Sequence, residues 1–115
     1  MSNLIESFIY EFTLEYIESI FIDDIYGCFV LGFNTKSGKF KSDFYGSGYI
    51  KSQLLQHLNN KHYHHFIYAK ANDEIDAFNL LCDYYHYVNQ PFATHPSPPV
   101  GAQCLHCGFH GGQVL

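Results

Sequence analysis

Apolar and polar positions along this chain change period several times, and each change marks an element. Ile5, Ile9, Phe12, Tyr16 and Ile20 recur at near-helical spacing, which predicts a helix across residues 3–22 with Glu11, Glu15 and Glu18 on another face. Phe8, Tyr10, Phe12 and Leu14 in the same stretch also alternate as a strand would. YGCFVLGF (26–33) is a β-rich run, NTKSGK is turn chemistry, and FKSDFYG (40–46) is a second strand, so 26–46 predicts a hairpin. After the glycines of GSG, a helix begins near Ile50 with Ile50, Leu54, Leu55 and Leu58 on one side. HYHHFIYAK (62–70) is a third strand. Asn72 or Asp73 caps a last helix through Val88, with Ile75, Phe78, Leu81 or Cys82, and Tyr85 towards the core. Beyond it Pro91, Pro96, Pro98 and Pro99 forbid regular structure.

This order predicts an α+β fold: a small three-stranded antiparallel sheet flanked by helices. The expected organisation is an N-terminal helical extension (1–25), a core (26–88) and a Pro/Gly-rich tail (89–115) packed on the last helix. At 115 residues the chain is one domain by length, small enough to benefit from a staple. Ten Tyr and eleven Phe supply bulky material for a core, with some left over for a surface.

Charge narrows the function classes. The formal charge is −5, and all six basic residues are lysines. Without arginine the chain lacks the usual bidentate contact to phosphate and guanine, which disfavours nucleic acid as a partner. Lys36, Lys39, Lys41 and Lys51, with Tyr45 and Tyr49, are the residues a non-cleaving nucleic-acid-binding protein would use. A solubilising hairpin tip explains the same lysines. The N-terminus lacks the basic region of a signal peptide, and no apolar run is long enough to span a bilayer. Four cysteines without a secretion signal suggest a reducing compartment, so the expected location is cytoplasmic and no membrane partner is expected.

Cysteine and histidine spacing suggests a metal. Cys82 and His86 are four residues apart on a predicted helix and share a face, while Cys104 and Cys107 form the tight pair used by zinc knuckles. Together they make a closed Cys3His set for structural zinc, with His95, His106 and His110 as alternative histidines. The competing reading is a buried Cys82 and a free CxxC dithiol. Cys28 reads as core. His62, His64 and His65 read as surface or core histidines, because a strand turns His65 away from the other two.

These motifs, in this order, resemble the GIY-YIG nuclease family. Gly27-Cys28-Phe29 looks like the first namesake motif and Phe44-Tyr45-Gly46 like the second. The helix ending at His57 and the segment DAFNLLCDYYH are similar to later elements. A subset of that family is similar further on, through Cys82, His86, His95-Pro96, Pro99, Cys104 and Cys107. The resemblance implies hydrolysis of a DNA phosphodiester with a divalent cation, an arginine and a glutamate. Here those positions fall at Gln53 and Leu81, and the namesake tyrosines at Phe29 and Phe44; Tyr45 and His57 are retained. The expectation is therefore a scaffold without catalysis, working as a protein-interaction or regulatory factor: an inhibitor, an immunity-type partner or an accessory subunit. A divergent nuclease would have to use Tyr45, His57 and an acid such as Asp83 or Asp76.

Overall fold

The structure is a computed structural model, and it describes residues 3–59, 62–88 and 95–108. In chain order the elements are β1 (Tyr10–Glu11), α1 (Leu14–Ile20), β2 (Tyr26–Asn34), β3 (Phe40–Tyr49), α2 (Ile50–His57), β4 (His65–Lys70) and α3 (Glu74–Val88). The four strands form one sheet in the order β1-β4-β2-β3, with every neighbouring pair antiparallel. The fold is α+β as expected, but the sheet has four strands rather than three.

β2 is central, and its composition explains why. A continuous apolar run suits a strand covered on both faces, and residues 27–32 are all buried. Alternate side chains then feed two different cores. Cys28 and Val30 join Ile67, Ala69, Ala77, Leu81 and Tyr84 beneath α3. Phe29 and Leu31 join Ile17, Phe21, Ile50, Leu54 and Phe66 beneath α1 and α2. The sheet is thus a middle layer between helices on either side.

Four local expectations change. The first is the long N-terminal helix, which is instead a short strand pairing with β4 and a seven-residue helix. Thr13 interrupts the run: its hydroxyl accepts from the Tyr16 N–H, the bond of an N-cap. Phe12, Ile17 and Phe21 face the core, while Ile5, Ile9 and Tyr16 are exposed. Second, β3 continues through GSG to Tyr49, because Gly46 lies directly opposite Phe29 in the ladder and leaves room for its ring. Third, Ile75 is exposed; Ala77, Phe78, Leu81, Cys82 and Tyr84 form the buried side of α3. Its start is set by reciprocal bonds, the Asp73 carboxylate accepting from the Asp76 N–H at 2.8 Å and the Asp76 carboxylate from the Asn72 N–H at 2.8 Å. Fourth, β4 is shorter than expected and starts at His65.

Candidate metal centre

The last turn of α3 and the Pro-rich tail meet at four side chains. The donor atoms of His86, His95, Cys104 and Cys107 all lie within 4.8 Å of one another. The Cys104 Sγ is 3.3 Å from the His86 Nε2, and the Cys107 Sγ is 3.5 Å from the His95 Nε2. Zinc–donor bonds of 2.0–2.3 Å in a tetrahedron set donors on the order of 3.3–3.8 Å apart. Both sulfur–nitrogen spacings fall in that range, so the Cys2His2 cluster could hold an ion such as zinc.

Local structure aims each donor. Cys104 to Cys107 is a tight turn closed by the Gly108 N–H donating to the Cys104 carbonyl at 2.8 Å. Gly108 completes it at φ 75°, a conformation glycine adopts without steric cost. The turn points the His106 N–H at the Cys104 Sγ, 3.4 Å away. Desolvation would raise the Cys104 thiol, but the N–H groups of Cys107 and His106, the His95 ring and the Cys82 thiol outweigh it and lower it to about 6. The thiolate is the form that binds metal. His95 turns its other ring nitrogen, Nδ1, to the Pro96 carbonyl at 2.9 Å. Such a bond fixes the tautomer of a metal-binding histidine and leaves Nε2 for the ion.

The set differs from the expected one in a single member, with His95 where Cys82 was expected. Cys82 sits one helical turn before His86 but is buried with Phe78 and Cys104. Burial, then the neighbouring Cys104 thiolate, pushes the Cys82 thiol well up, so it stays protonated and donates to Cys104. The helical Cys-x3-His spacing was legible, but sequence spacing could not show that the Pro-rich loop brings His95 closer. His106 is also outside the cluster; its ring pairs with the Asp83 carboxylate at 2.6 Å, which raises its pKa, and lies 4.9 Å from the His86 ring. His110 lies outside the described residues.

The positions carried over from the nuclease resemblance separate onto two faces of the sheet. Phe29, Phe44 and His57 form one group of rings, with Phe44 4.8 Å from His57 and Phe29 6.1 Å from it. Gln53 is on α2, the helix that carries His57. Leu81 and Tyr45 pack on the opposite face under α3, and burial and the neighbouring Tyr84 raise the Tyr45 hydroxyl to about 12. Tyr45 and His57 therefore do not converge. Asp76 is engaged at the start of α3, and Asp83 with His106. Cys28 is core, as expected. Among the described residues, His62, His64 and His65 belong to no metal-holding group; His62 and His64 instead meet Phe33 edge to face.

The lysines do not form one patch either. Lys36, Lys39 and Lys41 lie at the hairpin-turn end of β3, and Tyr49 and Lys51 at its other end. Eight residues of strand put roughly 25 Å between Lys41 and Tyr49. Among the described residues no helix is long and apolar enough to cross a membrane. Comparison of the chain with family models, with curated proteins and with solved structures gives no match.

Proposed function

We propose that this chain is a zinc-stapled scaffold, a degenerate GIY-YIG-like core, that works by holding a protein partner rather than by catalysis. The observation that carries the proposal is the closed donor set of His86, His95, Cys104 and Cys107. Four protein donors leave a tetrahedral ion no position for water or substrate, which is the design of structural zinc. The role is that of a regulatory factor, whether inhibitor, immunity-type partner or accessory subunit.

Charge supports a partner with a basic surface. Residues 1–35 contain Glu6, Glu11, Glu15, Glu18, Asp23 and Asp24 and no Lys, Arg or His. Phe8 and Ile22, in the same segment, are 77% and 85% exposed and offer apolar contact. The same acidity repels a phosphate backbone. The lack of arginine and the placing of Leu81 in the core support the absence of catalysis. Four free thiols suit a cytoplasmic setting.

Elemental analysis of the purified chain is expected to find about one zinc per molecule. A Mg²⁺ or Mn²⁺ cleavage assay on single- and double-stranded DNA is expected to show no turnover. Turnover abolished by His57→Ala would overturn the non-catalytic part. Capture from native cells, repeated with Glu15→Lys and Glu18→Lys, is expected to lose the partner in the charge-reversed chain; undiminished capture would reject the acidic face.

A further inference from the structure

A third thiol lies against the metal centre without belonging to it. Cys82 and Cys104 are each 1% exposed and share one small apolar cluster with Phe78, and Cys82 donates to the Cys104 sulfur. Cys107, three residues further on, is exposed. One sulfur at the surface, one behind it and a third behind that make an inward relay: the middle sulfur lies within 4.8 Å of the Cys107 sulfur and shares an apolar cluster with Cys82. Cys104 approaches Cys107 within the cluster and Cys82 within the core.

We propose that Cys82 is a resolving thiol, and that hydrogen peroxide converts the metal staple into a Cys82–Cys104 disulfide. This rests on reading His86, His95, Cys104 and Cys107 as a metal centre. The exposed Cys107 thiolate attacks peroxide: an S–O bond forms, the O–O bond breaks and hydroxide leaves. Cys104 attacks the sulfenic sulfur, forming the Cys104–Cys107 bond and expelling a second hydroxide. With neither sulfur a thiolate, the ion loses two donors and departs. Cys82 gives its proton to the hydroxide just expelled and attacks the Cys104 sulfur as a thiolate; the Cys82–Cys104 bond forms, the Cys104–Cys107 bond breaks, and Cys107 leaves as a thiolate. Two sulfurs lose one electron each, and the peroxide becomes one water, with the Cys82 proton, and one hydroxide that solvent neutralises.

The exchange is directed inward because the buried pair is shielded from reductant, whereas a Cys104–Cys107 bond stays at the surface. The replacement is like for like mechanically. Ion and disulfide both fasten residue 104 to α3, so the tail stays docked while His86, His95 and Cys107 are released. Oxidation then changes the surface around the tail without unfolding the sheet.

The test is zinc-loaded full-length chain treated with graded hydrogen peroxide, with released zinc read by a chromogenic chelator and disulfides by non-reducing peptide mapping. The expected result is zinc release in step with loss of two thiols, and Cys82–Cys104 as the end product. A Cys104–Cys107 end product, or a Cys82 that alkylates fully after denaturation, would overturn the proposal. Cys82→Ala, with Cys82→Ser as the isosteric alternative, is expected to bind zinc at the parent stoichiometry and to stop at Cys104–Cys107 on oxidation. Loss of zinc in both variants would make Cys82 a ligand and also overturn it. If the untreated chain holds no zinc, the metal reading fails separately, and disulfide mapping of the metal-free chain still decides the role of Cys82.

Discussion

Phe29 and Gly46 face each other directly across β2 and β3, and the pair shows how tightly one residue constrains another here. A Cβ built on Gly46 would stand 2.3 Å from the Phe29 ring, which is fully buried. Neither partner can yield, since the ring is enclosed by the second core and the glycine is in a paired strand. Gly46→Ala is therefore expected to lower stability by about 1–3 kcal/mol, the usual cost of overpacking. Ser47→Ala, on the exposed next position, should stay within about 0.5 kcal/mol. Urea unfolding of the two variants checks the contrast, and equal midpoints would discount the ring contact. At the metal centre the discriminating substitutions are His95→Ala and His106→Ala. The first removes a donor and is expected to abolish stoichiometric zinc binding; the second removes the partner of Asp83 and a ring beside His86 but no donor, and is expected to keep the ion. Zinc analysis after dialysis separates them.

Among the elements, α2 depends on a residue far from it in sequence. Tyr49 at its N-cap makes no side-chain capping bond. Asp24 takes over: its carboxylate accepts from the Lys51 N–H at 2.9 Å and the Ser52 N–H at 3.4 Å, and from the Ser52 hydroxyl. Removing a capping side chain costs about 0.5–2 kcal/mol, so Asp24→Ala should lower the urea midpoint and Asp24→Asn should recover much of the loss. This cap also marks how far the sequence could be read. The hairpin, α2, β4 and α3 were legible because β2 is an unbroken apolar run and the later helices keep a helical period. The N-terminal segment was not, because its apolar residues fit two periods, and pairing with β4 and capping by Thr13 decided between them. Ile75 failed similarly: it has the right residue type at the right spacing, but the face of α3 is set by Ala77, Leu81 and Tyr84 against the sheet. At the site, His86, Cys104 and Cys107 were readable from local spacing. The exchange of Cys82 for His95 depends on the path of a Pro-rich loop that has no period to read.

At the scale of the whole molecule, the two large cores are built from the sheet, its three helices, the segment leading into β1 and the connecting residues Phe12, Phe21 and Ala71, without any described tail residue. The tail instead joins through a third, small cluster in which Phe78 and Cys82 meet Cys104, with Ala102 against them. Beyond this cluster the buried Pro96, the His95 ring 4.8 Å from Tyr85 and the His106–Asp83 pair hold the Pro/Gly-rich strap, and an ion at the donor set would add to that fastening. Chelation should therefore act locally. A strong chelator is expected to free residues 95–108, seen as rapid amide exchange and protease cleavage there, while β2, β3 and β4 keep their protection. Global stability should fall as well, because an ion that binds only the folded state contributes RT ln(1 + [L]/Kd), about 2.7 kcal/mol at a hundredfold excess over Kd and about 4.1 at a thousandfold. Thermal unfolding at two zinc concentrations reads that term, and exchange mapping reads its location. A metal-free chain in which strands and tail lose protection together would mean that the ion holds the whole fold. The division of the apolar residues between two sheet cores and one small tail cluster argues that an ion bound at the tail would hold only the strap.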